Sequence, residues 1–154
     1  MKKIKLTQGK YVLVDDSDFE WLNQWKWHYL SVGYAARRDQ SNNKKYVYMH
    51  RLIMKANRGD EIDHVNLDTL DNRKANLRLA NRSQNMANTN LRSTNTSGVK
   101  GVVWDKNRNK WYAEITVDYK NIYLGRFNDI EEAKSAYNQA AQQYFGEFAR
   151  PNLL

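Results

Sequence analysis

The sequence contains no cysteine and no long apolar segment. The absence of cysteine excludes disulfide bridges and thiolate zinc sites, and it fits a reducing compartment. No run of about 18 apolar residues occurs, so no transmembrane helix is predicted. The basic start of the chain is similar to that of a signal peptide, but polar Gln8, Gly9 and Lys10 stand where a hydrophobic region is needed. We therefore expect a cytoplasmic protein without a membrane partner.

Acidic side chains are in the minority. The chain has 17 Asp and Glu against 25 Lys and Arg, which gives a formal net charge of +8. A field of this sign favours a polyanionic partner, and nucleic acid is the most frequent one. The excess lies in residues 1–60, which carry twelve basic and six acidic side chains. On charge alone, a basic protein without such a partner and an RNA-binding module are the alternatives.

Local patterns predict short strands and helices, arranged in one ordinary domain or two small ones. In the first part, alternating and aromatic residues predict strands within 4–14 and 25–49, and a polar run predicts a hairpin loop at 39–45. Further elements are predicted over 61–65 (strand), 77–80 (strand), 82–88 (helix), 99–104, 110–117 and 121–127 (strands) and 130–145 (helix). A segment rich in turn-forming residues ends at Ser97 and separates the two parts.

An Asp-His pair, Asp63 and His64, stands at the end of the predicted strand 61–65, and Asn76 and Asn85 follow it. In a strand–loop–strand–helix order, Asp63 ends one strand and Asn85 lies on the helix packed across the hairpin, so their oxygen atoms can meet. A carboxylate and an amide oxygen form a hard ligand pair that suits Mg²⁺ or Mn²⁺. Because the pKa of histidine lies near neutrality, a neighbouring His64 that is not a ligand can act as a general base.

The residues around this pair form a longer pattern. They are Met49-His50-Arg51-Leu52-Ile53, Ile62-Asp63-His64, Leu70-Asp71-Asn72-Arg73, Asn76-Leu77-Arg78 and Ser83-Gln84-Asn85. Together they resemble the ββα-metal motif of HNH endonucleases, in particular the phage subgroup that includes homing endonucleases. The resemblance implies that His64 activates water as the general base and that Asp63 and Asn85 hold one divalent cation. It also implies that Asn76 braces the loop so that His64 points at the scissile phosphate.

This sequence departs from many members of that family at Asn85, where they have histidine. Asparagine at this position favours Mg²⁺ or Mn²⁺ over zinc. His50, with Arg51, is a candidate for contacting a phosphate or shaping the site, and a structural histidine is the alternative. His28 is expected to be structural. A degenerate HNH fold kept for binding alone is the alternative for the whole segment, but the four intact positions argue against it.

A second pattern covers about 97–153. Its residues are Ser97-Gly98-Val99-Lys100-Gly101-Val102, Lys110-Trp111-Tyr112-Ala113-Glu114-Ile115, Tyr123-Leu124-Gly125-Arg126-Phe127 and a following helix with Gly146-Glu147-Phe148-Ala149. They resemble an APETALA2/ethylene-response-factor domain, which lays a three-stranded sheet in the major groove of DNA and occurs fused to HNH nucleases in phages and bacteria.

The candidate DNA contacts on or beside this sheet are Lys100, Arg108, Lys110, Thr116 and Tyr123. Val103 falls close to a usual arginine of the family, and the hairpin after Trp104 is longer than in plant members. The target preference of plant domains therefore does not transfer. Lysines act mainly on phosphates, which position a protein without specifying sequence. Of Trp111 and Tyr112, one must face the core of an alternating strand.

We therefore predict an α+β protein: an N-terminal β-rich segment, a ββα-metal core, and a three-stranded antiparallel sheet packed on one helix. The predicted parts are a nuclease domain at 1–92 with its motif at 61–88, a linker at 93–97 and a DNA-binding domain at 98–154. Because the four catalytic positions precede the linker, the chemistry is expected to be complete within 1–92.

The predicted activity is hydrolysis of phosphodiester bonds in double-stranded DNA, in a bacterial or phage-infected cell. It needs one Mg²⁺ or Mn²⁺ per site and no small-molecule cofactor. The alternative is a catalytically inactive DNA-binding regulator that uses the C-terminal domain. The target sequence, nicking or double-strand cleavage, the oligomeric state, and a homing, defence or packaging role are left open.

Overall fold

The strands of this protein form small antiparallel sheets of two or three strands each, and helices complete a mixed α+β architecture. The structure is a computed structural model that describes residues 1–39 and 45–152. Contacts divide the chain into two units, Met1–Asn81 and Arg82–Leu154. None of the helices in the described ranges is long and apolar enough to cross a membrane. The α+β class expected from the sequence is confirmed.

The N-terminal unit starts with two sheets and two short helices. The elements are β1 (Lys2–Lys5), β2 (Tyr11–Val14), α1 (Asp16–Leu22), β3 (His28–Tyr29), β4 (Ala35–Arg38), β5 (Tyr46–Tyr48) and α2 (Met49–Ile53). β1 pairs with β2, while β4 lies between β3 and β5 and pairs antiparallel with both. Most of the hairpin loop predicted at 39–45 lies outside the described residues.

A two-stranded hairpin follows, formed by β6 (Glu61–His64) and β7 (Leu77–Ala80), close to the predicted bounds. Alternation places Ile62 and His64 on one face of the hairpin and Asp63 on the other. The loop between the strands is bonded to β2 by two backbone hydrogen bonds. Leu13 N donates to Leu70 O (2.8 Å), and Leu13 O accepts from Asn72 N (2.9 Å). This anchoring fixes the loop that borders the Asp-His pair.

The core of the N-terminal unit draws apolar side chains from most of its elements. They are Ile4, Leu6, Val12, Val14, Leu22, Trp27, Ala35, Met49, Ile53, Ile62 and Leu77. Trp27 is the largest side chain of this core that is fully buried, and its indole N–H donates to the Leu22 carbonyl oxygen at 2.8 Å. Since the buried polar atom of Trp27 has a partner, its burial carries no desolvation cost that is left unmet.

The C-terminal unit is a three-stranded antiparallel sheet packed on one long helix. Its elements are α3 (Arg82–Ala87), β8 (Val102–Asp105), β9 (Lys110–Val117), β10 (Lys120–Phe127) and α4 (Ile130–Phe145), and the strand order is β10-β9-β8. α4 packs against β9 and β10. Asp129 caps its N-terminus by accepting from Glu131 N (2.9 Å), and Gly146, with a φ of 52°, ends it.

β8 begins at Val102, later than the predicted start at Val99, because a turn precedes it. The turn is closed by Val102 N donating to Val99 O (3.4 Å), and Gly101 within it has a φ of +73°. A Cβ at Gly101 would overlap the ring of Tyr137 and stand 2.6 Å from the Glu114 carbonyl oxygen. Only glycine therefore allows β9 and α4 to approach the chain so closely here.

Candidate functional site

Asp63 lies in the middle of β6–β7 and is only 3% exposed. Its cross-strand partner is Arg78, which donates from Nε (2.8 Å) and Nη2 (2.7 Å) to Asp63 Oδ2. The pairing follows from the register of the hairpin, since directly opposed residues place their side chains on the same face. The ion pair holds a carboxylate in one orientation at a buried position, where a charge without a partner would be very costly.

His64 is the next residue and is also buried, with 4% exposed. Its Nε2 lies 2.9 Å from Asn72 Oδ1, and since an amide oxygen only accepts, Nε2 carries the proton. Burial lowers the pKa of His64, although the Asn72 hydrogen bond and the charge of Asp63 act in the opposite direction. The ring is therefore neutral near pH 7, with Nδ1 as its basic nitrogen, which is the state that a general base requires.

Asn72 is completely buried and receives its position from β2 through its backbone N–H, which donates to Leu13 O (2.9 Å). Its side-chain oxygen then meets His64, while Asn72 Nδ2 has no hydrogen-bond partner among the described residues. A buried amide group left in this way costs stability, and such costs are characteristic of functional positions. Asn72 stands within the HNH-like pattern of the sequence, but no role was predicted for it.

The loop between β6 and β7 is braced by two neighbouring side chains. Asn76 donates from Nδ2 to Asp71 O (2.7 Å) and accepts from Asn66 N at Oδ1 (2.9 Å), so it ties the two ends of the loop together. Asp71 accepts from Arg73 Nε (2.7 Å) and Nη2 (2.6 Å), and these bonds hold the pKa of its carboxyl below the usual range. The loop beside His64 is thus fixed by its own polar groups.

Two aromatic rings lie against His64, and a third, that of Tyr48, packs against both of them. Its ring centroid lies 5.3 Å from that of His50 and 5.9 Å from that of Tyr34, and Tyr48 lies 5.7 Å from His50. Burial lowers the pKa of His50 to about 3, and His64 and Arg51 act in the same direction. Burial, followed by the charge of Asp63, raises the pKa of Tyr34. The imidazole of His64 therefore lies beside two groups, His50 and Tyr34, that are neutral near pH 7.

Tyr34 and Tyr48 belong to the aromatic residues that predicted strands within 25–49. No motif spacing links them to His64, so the sequence did not indicate their place near the site. The Arg51 guanidinium is hydrogen-bonded within the fold. It donates to Asp60 O (2.5 Å) and Asn57 O (2.6 Å), and so shapes the loop after α2. His28 lies in β3 opposite Ala36, outside the ring cluster.

The oxygen ligands expected for a metal ion lie on different parts of the fold. Asp63 belongs to the N-terminal unit, whereas Asn85 lies on α3, which belongs to the C-terminal unit. In the described ranges, no group of three or more His, Cys, Asp and Glu side chains is arranged to hold a metal. The donor chemistry of a buried carboxylate and an amide oxygen nevertheless suits a hard divalent cation. The pair of Asp63 and Asn85 therefore stays a prediction.

The C-terminal sheet has a polar face turned away from α4. The strand register and alternation place on it Val103, Asp105, Lys110, Tyr112, Glu114, Thr116, Asn121, Tyr123 and Arg126. Tyr112 and Tyr123 stack with centroids 5.4 Å apart, and the Arg126 guanidinium lies over both rings at 5.2 and 5.4 Å. We call this set the outer face. Trp111 instead packs against the core, which confirms that one of the two neighbouring aromatics faces inward.

Three predicted contacts lie on the outer face, with Arg108 in the turn beside it. Lys110 Nζ donates to Asn128 Oδ1 (2.7 Å), Thr116 Oγ1 donates to Asn121 Oδ1 (2.8 Å), and Tyr123 is 54% exposed. The Arg108 side chain is 61% exposed and lies 3.4 Å from Asp105 Oδ2.

Arg126 lies on the outer face although it was not among the predicted candidates, because the strand is irregular. The register shifts between Tyr123 and Gly125, so simple alternation along β10 assigns Arg126 to the wrong face. The cue available in the sequence is Gly125 itself, since glycine within a strand often marks a bulge.

Lys100, the remaining predicted DNA contact, precedes β8 and lies off the outer face. Its Nζ donates to the carbonyl oxygens of Ala87 (2.6 Å) and Thr89 (3.0 Å). Burial lowers the pKa of Lys100 to about 8, and the nearby Arg150 acts in the same direction. The structure thus directs this ammonium group into the C-terminal unit.

Comparison with known proteins finds two family models in this chain: an HNH endonuclease model matches residues 47–87 and an AP2 domain model matches residues 97–147. An uncharacterized HNH endonuclease of Acanthamoeba polyphaga mimivirus is 27% identical over 149 residues, which cover 96% of this chain and 77% of that protein. Protein 3.8 of Escherichia phage T7 is 33% identical over 93 residues, covering 60% of this chain and 76% of that protein.

An AP2/ERF and B3 domain-containing transcription repressor of Arabidopsis thaliana is 37% identical over 71 residues, 46% of this chain and 19% of that protein. The order of the two matched segments is the one predicted from the sequence. The first segment contains Asp63, His64, Asn76 and Asn85, and the second contains all five candidate DNA contacts.

Proposed function

Because the chain belongs to the HNH endonucleases and carries an AP2 domain after its HNH domain, we propose that it hydrolyses phosphodiester bonds of double-stranded DNA in a metal-dependent reaction. The observation that carries the proposal is the buried, neutral His64 beside the carboxylate of Asp63. A base and an oxygen ligand next to each other are the two groups that metal-assisted hydrolysis of a phosphodiester needs.

In this proposal, the His64 imidazole takes a proton from a water molecule, and the resulting hydroxide attacks phosphorus in line with the leaving oxygen. The bond between phosphorus and the 3′ oxygen then breaks, and the leaving oxygen takes up a proton from solvent. Asn72 orients the ring by accepting a hydrogen bond from Nε2. The products implied by the family are a 3′-hydroxyl and a 5′-phosphate. Asn76 acts indirectly, by holding the loop that borders the imidazole.

Asp63 and Asn85 would hold one Mg²⁺ or Mn²⁺, in the strand–strand–helix arrangement of the family's ββα-metal motif. When bound, the cation offsets the negative charge that builds on the phosphate. Arg78 contributes by fixing the Asp63 carboxylate in a single orientation. The rings of Tyr34 and His50 pack against His64, and the burial of the imidazole keeps it neutral.

The outer face of the C-terminal sheet would hold the DNA. Arg108, Lys110 and Arg126 supply positive charge, and Thr116 and Tyr123 supply hydrogen-bonding groups at exposed positions. Charged groups of this kind bind the phosphate backbone and position the enzyme. The Arg126 guanidinium is held over Tyr112 and Tyr123, so less conformational freedom is lost when it meets DNA.

Supercoiled plasmid provides the test. The full chain should convert it to nicked or linear DNA in Mg²⁺ or Mn²⁺, and EDTA should stop the conversion. Zn²⁺ at a matched free concentration should be a poorer activator, because both proposed ligands are oxygen atoms. Protein that binds plasmid but leaves it supercoiled with each of these metals would instead be a DNA-binding regulator, and the proposed nuclease activity would be wrong.

A further inference from the structure

α3 is part of the C-terminal unit, although it carries the last residue of the proposed catalytic set, Asn85. Ala87 at its end is 8% exposed and belongs to the hydrophobic core formed with the sheet and α4. The helix has six residues, and a helix of that length is not stable in isolation. Its packing against the C-terminal unit therefore contributes to its order.

Both ends of α3 are bonded to that unit. Near its start, Ser83 Oγ accepts from the backbone N–H of Asp118, in the turn between β9 and β10 (3.0 Å). At its end, Lys100 Nζ donates to the carbonyl oxygens of Ala87 and Thr89. The last carbonyls of a helix have no partner within the helix and form its negative pole, so an ammonium group there both satisfies and stabilises them.

Lys100 is itself held in place by α4. Its backbone N–H donates to Asn152 Oδ1 (2.7 Å), and its carbonyl accepts from Asn152 Nδ2 (3.3 Å). Asn152 in turn exchanges two hydrogen bonds with the Asn138 side chain on α4, at 2.8 and 3.0 Å. A continuous set of hydrogen bonds therefore runs from α4 through Asn152 and Lys100 to the end of α3.

We propose that Lys100, together with Ser83, is a positioning residue: through these two side chains the C-terminal unit orders α3 and so positions Asn85. This inference rests on the proposed function, which assigns Asn85 as a metal ligand. It gives the AP2 domain a second task beyond retention on DNA. It also replaces the two expectations that Lys100 contacts a phosphate and that residues 1–92 suffice for the chemistry.

The hydrogen bonds of the half-buried Lys100 support this role over a phosphate contact. Its ammonium already has two carbonyl acceptors, and reaching a phosphate would leave those carbonyls without their donor. Ala87, Thr89 and Lys100 line a common cavity of about 450 Å³ with Ile115 of β9. The segment after α3 thus lies over the sheet of its own unit.

The first measurement is hydrogen exchange of the full chain without metal or DNA, at the amides of residues 86–88 that α3 protects. Lys100→Met keeps the apolar stem and removes the ammonium, so exchange there should accelerate about tenfold or more. Ser83→Ala should accelerate it less, through the opposite end of the helix. The matched control is Lys120→Met, which removes the same charge from an exposed position on β10 and should change nothing in α3.

The second measurement is single-turnover cleavage at saturating DNA, titrated with Mg²⁺. Lys100→Met should raise the Mg²⁺ concentration at half-maximal rate about tenfold, and Lys100→Arg should restore much of the loss. If Lys100 acts through Asn85, its substitution should cost little more once Asn85→Ala is present, which a double-mutant cycle measures. A purely structural loss of folded protein would lower the amplitude of cleavage and leave the Mg²⁺ midpoint unchanged.

Equal α3 exchange in Lys100→Met and Lys120→Met would overturn the inference, as would a drop in DNA affinity with an unchanged Mg²⁺ midpoint. If Lys100→Met does not fold, Ser83→Ala decides by the same two measurements. Wild-type protein that fails to cleave DNA would contradict the proposed function alone, because the exchange measurement needs neither metal nor cleavage.

Discussion

Asp63 and His64 in the N-terminal unit are 3% and 4% exposed, whereas Tyr123 on the outer face of the C-terminal sheet is 54% exposed. The buried pair is held by short hydrogen bonds between Asp63 and Arg78 and between His64 and Asn72. The exposed residues instead form a shared surface of stacked rings and charges. Burial strengthens electrostatic interactions and fixes the protonation state, which chemistry requires, while exposure leaves groups available to a large polyanion. The comparison predicts separate losses of rate and of affinity.

The largest expected effect on the buried pair comes from Asp63→Ala. The substitution removes a full charge from the proposed metal site and leaves Arg78 without that carboxylate, so cleavage should be abolished. Stability should fall by about 3–5 kcal/mol, as for other broken buried ion pairs. Urea unfolding and metal titration measure the two effects. Adding Arg78→Met should restore stability but not cleavage, and Asn85→Ala should weaken metal binding less than Asp63→Ala.

A smaller effect is expected from Asn72→Ala. The change removes the acceptor for His64 Nε2, so the ring is no longer held in one orientation and the single-turnover rate should fall about 10- to 100-fold. DNA affinity measured in EDTA should stay the same, because Asn72 is completely buried. A rate within threefold of wild type would show that His64 needs no orienting partner.

The smallest effect concerns the exposed side. Arg126→Ala should reduce the salt dependence of DNA binding by about 0.9 in log–log slope if the guanidinium contacts one phosphate. Lys120→Ala is the control on the same strand, because Lys120 pairs with Val117, which packs toward the core. Equal slopes for the two variants would place the DNA contact elsewhere on the protein.

Much of this architecture follows from local patterns in the sequence. The bounds predicted for β7 and β9 match the structure, because each has clear polar breaks at its ends. The start of β8 was misplaced because the turn at Gly101 is required by close contact with Tyr137, a residue far along the chain. The face on which Arg126 lies was hidden by the bulge at Gly125.

The residues of the candidate site could be predicted where they belong to one sequence motif. They could not be predicted where segments that are distant in sequence meet in the fold. Asp63 and His64 follow from their motif, but the ring of Tyr34 reaches His64, and that of Tyr48 reaches His50, only through the tertiary fold. The association of α3 with the C-terminal unit involves contacts such as that of Lys100 Nζ with Ala87 O, which no motif in the sequence indicates. The net charge of a protein indicates a class of partner, whereas the burial of a single side chain decides which groups that side chain contacts.

The most direct test of the account is the single-turnover cleavage rate of His64→Ala at saturating DNA and Mg²⁺, with DNA affinity measured in parallel. His28→Ala is the matched control, since His28 lies in β3 outside the ring cluster. Loss of a general base should lower the rate of His64→Ala about 10²- to 10⁴-fold and leave its affinity for DNA unchanged. A rate within threefold of wild type would contradict the assignment of His64 as the base.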